Sequence, residues 1–257
     1  MSLLDDTVSV PRRTMTLFFL IDTSGSMEGN KIGAVNDAVE NVLPMLNDIS
    51  ESNPDAEIKV AALEFSNGAK WVYDEPKLAK DFVWQDVAAS GLTSLGEACQ
   101  ELEKKLHRES GFMKNASGSF APAIILLSDG GPTDDFQSGL AKLKTNNWFK
   151  AAIKIAIAIG DDADKEVLKD FTGNSEAVIT VHNIDALKQI IRVVAVTSSQ
   201  IGSKSSSAGD TTKQDQVVKD VKKEAENIDG AEAAPAPGDS ASPTGTPDSS
   251  SYVDDWG

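Results

Sequence analysis

Three short polar segments carry the residues of this chain whose types and spacing could do chemistry. The first is Asp22-Thr23-Ser24-Gly25-Ser26, which follows the apolar run Phe18-Phe19-Leu20-Ile21 without a break. The second is Ser90-Gly91-Leu92-Thr93-Ser94, and the third is Asp129-Gly130-Gly131, which follows Leu126-Leu127-Ser128. Their side chains offer carboxylates and hydroxyls, all hard oxygens. That set suits Mg²⁺, Mn²⁺ or Ca²⁺ and not Zn²⁺ or copper, which favour imidazole and thiolate ligands. The chain has two histidines and one cysteine, and neither His107 nor His182 has a second His or Cys at ligand spacing. The first segment thus offers one carboxylate, Asp22, and three hydroxyls as candidate cation ligands, and the rest of the chain must supply more oxygens, for which Thr93 and Asp129 are the candidates.

Those residues need a scaffold that brings three separated loops to one place. A run of large apolar residues that ends in an acid reads as a strand buried on both faces, with its loop at the C-terminal end. Thr14–Ile21, Ile58–Phe65, Ala123–Leu127, Ile153–Ile159 and Ala177–Val181 read as strands. Ala69–Tyr73 reads as a further strand, joined to the second through the turn dipeptide Asn67-Gly68. Between them, apolar spacings of 3 and 4 predict helices over Lys31–Ile49, Ser94–Glu109, Asp134–Thr145, Asp164–Phe171 and Ile184–Val196. Pro44 is expected to kink the first helix, and Asp164 to cap the fourth.

Such alternation predicts an α/β, doubly wound, Rossmann-like fold: a mostly parallel sheet with one antiparallel edge strand and helices on both faces. In that order the strands ending at Asp22 and Asp129 are neighbours at the switch point, where open sheets bind ligands. Neighbouring strands lie about 4.8 Å apart. Two carboxylates at that spacing repel unless a proton or a cation sits between them. Thr93, at the start of a helix, can aim its hydroxyl at the same cation or serve as an N-cap.

The totals bound the partners. Forty acids face 24 lysines and arginines, a net charge of −16 in 257 residues. Such a field repels nucleic-acid phosphates and anionic lipid, so neither is an expected partner. No apolar run approaches a membrane span, and residues 1–13 lack the order of a secretory signal. A single cysteine, Cys99, excludes an internal disulfide and reads as a small core residue. The expected location is cytoplasmic. Residues 1–13 read as an N-terminal extension and 14–201 as the folded domain. From 202 to 257 the chain turns to Ser, Gly, Pro and Ala, with eleven acids against five lysines after Gly202. That tail is expected to be disordered, apart from a transient helix over Val217–Ile228.

The three segments, in this order and each at a strand end or helix start, resemble the von Willebrand factor A (VWA) domain with its metal-ion-dependent adhesion site. The resemblance covers Thr14 to Ile201. It implies that Ser24, Ser26 and Thr93 bind the cation through hydroxyls, while Asp22 and Asp129 reach it directly or through water. It leaves one coordination position for a partner, commonly an Asp or Glu carboxylate of another protein. It also implies that partner binding can shift the Asp129 loop and slide the last helix. Leu126-Leu127-Ser128-Asp129-Gly130-Gly131-Pro132-Thr133-Asp134-Asp135 and Ile157-Ala158-Ile159-Gly160-Asp161-Asp162-Ala163-Asp164 are similar to bacterial VWA proteins encoded with tellurium-resistance and related stress systems. The resemblance thus implies a divalent-cation-dependent adaptor and not an enzyme.

Two other functions stay open at this stage. A Mg²⁺-dependent phosphotransfer enzyme also uses a strand ending in an acid. The haloacid-dehalogenase pattern, however, needs a second Asp where Ser24 stands, and no phosphate loop or nucleophile elbow is present. A structural or cation-buffering protein is the other alternative. Asp134, Asp135, Asp161 and Asp162 also lie at expected strand ends, where they either tune the cation site or cap helices. Met27 either meets a partner or closes the loop onto the core. Glu64 is a candidate paired acid. Tyr252-Val253-Asp254-Asp255-Trp256-Gly257 reads as a short docking peptide that could reach the open metal position.

Overall fold

The computed structural model describes residues 11–204 and 212–234. The chain order is β1 (Arg13–Asp22), α1 (Asn30–Ser52), β2 (Ala56–Phe65), β3 (Ala69–Trp71), β4 (Lys77–Leu78), α2 (Leu95–Lys105), β5 (Ala123–Ser128) and α3 (Phe136–Leu143). It continues with α4 (Asn147–Ala151), β6 (Ile153–Ile159), α5 (Lys165–Thr172), β7 (Val178–Val181), α6 (Ile184–Gly202), α7 (Lys213–Ala225) and β8 (Ala231–Ala233). One sheet runs β3-β2-β1-β5-β6-β7-β8, with β4 also paired to β2. β2, β1, β5, β6 and β7 are mutually parallel. This is the doubly wound α/β architecture the alternation predicts.

Period-two geometry explains why β1 is apolar on both faces from Leu17 to Ile21. Met15, Leu17, Phe19 and Ile21 enter one core with α1, α6 and α7. Phe18 and Leu20 enter a second core with α2, α3 and α5. The chain leaves β1 through α1 to β2 on one side, then crosses through α2 to β5 on the other. The switch point therefore falls between β1 and β5, whose register pairs Ile21 with Leu127. One step further along, Asp22 and Ser128 end the two strands side by side.

The expected antiparallel edge is present as β3 on β2. β4 also pairs antiparallel with β2, and a third antiparallel strand lies at the opposite edge, where β8 pairs with β7. That strand and α7, a packed helix where only a transient one was expected over Val217–Ile228, correct the expectation of disorder over residues 213–233. Averaged over 55 residues the composition is polar, but Val217, Val218, Val221 and Ala225 form one helical stripe that is fully or nearly buried. Burying a valine contributes roughly 1.5 kcal/mol or more, which offsets the ordering of a short helix. Thr212 caps it by accepting from Asp215 N. Gln214 fastens it to β6, since its Oε1 accepts from Lys154 N at 2.7 Å and its Nε2 donates to Lys154 O at 2.9 Å. The docking peptide at 252–257 and most of the 1–13 extension lie outside the described residues.

Smaller departures are local. α1 continues through Pro44 as one helix, and α6 runs six residues past Val196 to Gly202. The five-residue α4, started by Asn146, is too short to show helical periodicity in the sequence. Asp164 caps α5 as expected, accepting from Val167 N. No helix among the described residues is long and apolar enough to cross a membrane.

Candidate metal centre

Asp22 is fully buried where β1 ends, and both its oxygens accept. Oδ1 takes Ser24 N at 2.9 Å and Oδ2 takes the Ser128 hydroxyl at 2.6 Å. Burial pushes the Asp22 carboxyl above the usual carboxylate range, and the charge of Asp129 adds to the rise. The hydrogen bonds from Ser128 and Ser24 oppose it. A cation beside Asp22 would relieve that cost, since an opposite charge favours the ionised form.

Asp129 is equally engaged. Its Oδ1 accepts from Ser26 Oγ at 2.6 Å, and its Oδ2 pairs with Lys31 Nζ at 2.7 Å. Ser26 Oγ in turn lies 3.0 Å from Ser24 Oγ. The structure thus brings Asp22, Ser24, Ser26 and Asp129 into one linked group. Thr23 is excluded from it. Its hydroxyl donates to Phe65 O and fastens the loop to β2, so two of the three hydroxyls in the first loop face the centre.

The loop bearing Thr93 is tied to both others. Ser90 N donates to Thr23 O at 2.8 Å, and Gly25 N to Gly91 O at 3.0 Å. Thr93 N donates to Thr133 Oγ1, and Thr133 N to Thr93 O. Gly91 has a φ of +82° and packs against Asn67, which accepts from Leu92 N. A side chain at Gly91 would collide with Asn67, so glycine is needed for both reasons. Upstream, buried Asn36 binds Trp84 Nε1 and both backbone groups of Val87. Thr93 is not the cap of α2. That helix is capped across the loops by Asp134, whose oxygens accept from Gly96 N and Glu97 N.

The other acids sort by partner. Asp135 caps α3, and Asp161 lies 2.6 Å from His182 Nδ1. Glu64 stands 3.6 Å from exposed Lys70, a loose surface pair. Met27 is fully buried and closes its loop onto the core.

The donor set fits a hard cation. Two ligands at right angles around Mg²⁺, each at 2.0–2.1 Å, are about 2.9 Å apart, close to the Ser24–Ser26 separation. Among the described residues no group of three His, Cys, Asp or Glu side chains could hold a metal. Hydroxyls are therefore essential to any such site here. Sequence reasoning missed two members of the group, Ser128 and Lys31. Strand register would have found the first, because Ser128 neighbours Asp22 once β1 and β5 are paired. Lys31 carries no such signal, since it reads as an ordinary polar residue in the first turn of α1.

Residues 16–193 match the family model described as von Willebrand factor type A domain. The chain belongs to that family. VWA domains mediate protein–protein interaction, often through a bound divalent cation. Collagen alpha-6(VI) chain of Mus musculus is 30% identical over 101 residues, which are 39% of this chain and 4% of that protein. Among solved structures, a von Willebrand factor type A protein from Catenulispora acidiphila superposes with a TM-score of 0.57 at 19% identity, over 73% of this chain and 43% of that one. Proximal thread matrix protein 1 from the mussel byssus, in a form with a zinc-occupied MIDAS motif, gives 0.55 at 17% identity, over 74% and 48%. At these identities the structural likeness establishes the fold. This VWA chain spans less than half the length of each of these three relatives.

Proposed function

We propose that this VWA domain is a divalent-cation-dependent interaction module whose partner is another protein that supplies an Asp or Glu carboxylate. Ser24, Ser26 and Thr93 hold the cation through hydroxyls, and Asp22 and Asp129 orient them. The observation that carries this reading is the way the acids are spent: all four of their oxygens already face internal donors. The groups left to meet a cation are neutral hydroxyls. When bound, the cation supplies an electrophilic centre for an incoming carboxylate. Mg²⁺ is the proposed ion, with Mn²⁺ or Ca²⁺ as alternatives, and the zinc-occupied mussel site puts Zn²⁺ among the ions to assay.

The acidic surface supports a protein partner over nucleic acid or anionic membrane. A buried, free Cys99 thiol is consistent with a cytoplasmic setting. A bacterial stress or tellurium-resistance-type context rests on the motif phrases alone. The proposal includes the absence of enzymatic activity: the haloacid-dehalogenase general-acid position holds Ser24, whose hydroxyl is engaged with Ser26.

The test is capture of partners on the full chain in Mg²⁺ against EDTA, with Thr93→Ala as the control. Proteins retained only in Mg²⁺, and lost with Thr93→Ala while its melting temperature holds, are the expected result. Equal capture by that variant, or Mg²⁺-dependent hydrolysis of phosphate esters by the purified chain, would overturn the reading.

A further inference from the structure

Lys31 stands in the first turn of α1, nine residues after Asp22, and its side chain is only 14% exposed. Its ammonium meets Asp129 Oδ2 at 2.7 Å, while Ser26 Oγ meets Asp129 Oδ1. The carboxylate is therefore bridged: a hydroxyl of the proposed cation cradle on one oxygen, a fixed positive charge on the other. The seat of the ammonium is built from a third element as well. At the end of β6, Gly160 has a φ of +92°, and a Cβ there would lie 3.5 Å from Lys31 Nζ. The same Cβ would lie 3.0 Å from Asp162 Oδ1, so the Asp162 carboxylate borders this seat as well. Ser26 Oγ is on the Oδ1 side of Asp129, so a cation held by the hydroxyls would leave the Lys31 pair on Oδ2 in place.

Charge counting then gives Lys31 a role. Asp22 and Asp129 alone would neutralise a divalent ion and leave an incoming carboxylate little to gain. With Lys31 these three side chains sum to −1, so together with a divalent ion they carry +1, before the Asp162 carboxylate that borders the Lys31 seat is counted. That residual charge is what a partner's carboxylate would cancel.

On the reading proposed above, we infer that Lys31 sets the charge of this centre, cancelling Asp129 from its outer side so that a bare cation is held weakly and a cation with a carboxylate strongly. It acts through Asp129, as a residue that decides what the centre prefers. Lysine is a compact point charge suited to this seat. A unit charge within a few ångströms in a partly buried site changes affinity by about tenfold or more.

The experiment measures Mn²⁺ binding to the full chain by the loss of the free-ion paramagnetic resonance signal, in chloride and again in acetate as the carboxylate probe. The wild type is expected to bind Mn²⁺ more tightly in acetate. Lys31→Met, which keeps the length of the side chain, is expected to bind Mn²⁺ about tenfold tighter in chloride and to lose most of the acetate enhancement. Lys31→Gln should follow Lys31→Met, and Lys31→Arg should resemble the wild type. Unchanged or weaker Mn²⁺ binding by folded Lys31→Met or Lys31→Gln overturns the inference, as does an acetate enhancement that survives the loss of charge. If the wild type binds no Mn²⁺, or Thr93→Ala binds as well as it does, the proposed function fails instead.

Discussion

Replacing Ser128 with alanine removes one oxygen from the join between β1 and β5 and leaves everything else in place. The Ser128 Cβ stays, so the strand keeps its packing. What disappears is the 2.6 Å donation to Asp22 Oδ2, together with long contacts to Gly130 O at 3.3 Å and Gly130 N at 3.5 Å. Both residues are fully buried, and the space of one hydroxyl is too small for a water to take its part. A hydrogen bond to a charged group contributes about 1.5–3 kcal/mol, and a buried acceptor left without a donor loses the full amount. Ser128→Ala should therefore cost about 2 kcal/mol. For a chain of this size that corresponds to a fall in Tm of about 4–8 °C. Urea titration and thermal melts in EDTA read the effect directly, with an unchanged urea slope showing that only stability moved. The same variant should bind Mg²⁺ less tightly without losing it, because Asp22 still orients Ser24 through the Ser24 amide. A loss below about 0.5 kcal/mol, the ordinary range for substitutions that touch nothing, would refute the claim that Ser128 holds the buried acid.

Three further outcomes follow from contacts near the centre and from the added edge. Gly96→Ala places a methyl 2.6 Å from Asp135 O, where α2 crosses the start of α3; backbone must move, and a loss of about 1–3 kcal/mol in urea melts is expected. Asp134→Ala removes the acceptor for Gly96 N and Glu97 N. It should cost about 1 kcal/mol as a lost cap while leaving Mn²⁺ affinity within twofold, because its role is structural although it sits on the face of the proposed cation site. Gln214→Ala breaks both bonds that tie α7 to β6. Amide exchange over residues 213–233 should speed up well before the β1 amides respond, by an amount matching about 2 kcal/mol.

The fold was legible where burial is two-sided. β1 and β5 read as strands because every second residue fills one core and the rest fill the other, so the runs Leu17–Ile21 and Ala123–Leu127 are unbroken by a polar residue until Asp22 and Ser128. The switch point followed from the order of elements, since a strand that leaves in both directions must sit between its two successors. The far edge was legible only as a transient helix, for a physical reason. The stripe Val217, Val218, Val221 and Ala225 is apolar on one side only, in a segment whose other residues are charged. Its burial depends on α6 and β6 having formed a surface for it, which is a tertiary fact. β8 is only Ala-Glu-Ala, and its strand character comes wholly from its pairing with β7.

The centre divides along the same line. Asp22, Ser24, Ser26, Thr93 and Asp129 stand out because acids and hydroxyls at strand ends are chemistry that a sequence displays. Ser128 and Lys31 complete the arrangement through contacts that bridge 106 and 98 residues of chain. Neither type is unusual where it occurs, since a serine ends many strands and a lysine opens many helices. Only when the two acids are placed side by side does the need for their donors become visible. Each acid brings a charge out of water, and each must be met from a neighbouring element. The oxygens proposed to bind a cation are thus displayed one by one in the sequence, whereas the groups that keep them from collapsing onto one another are a property of the fold.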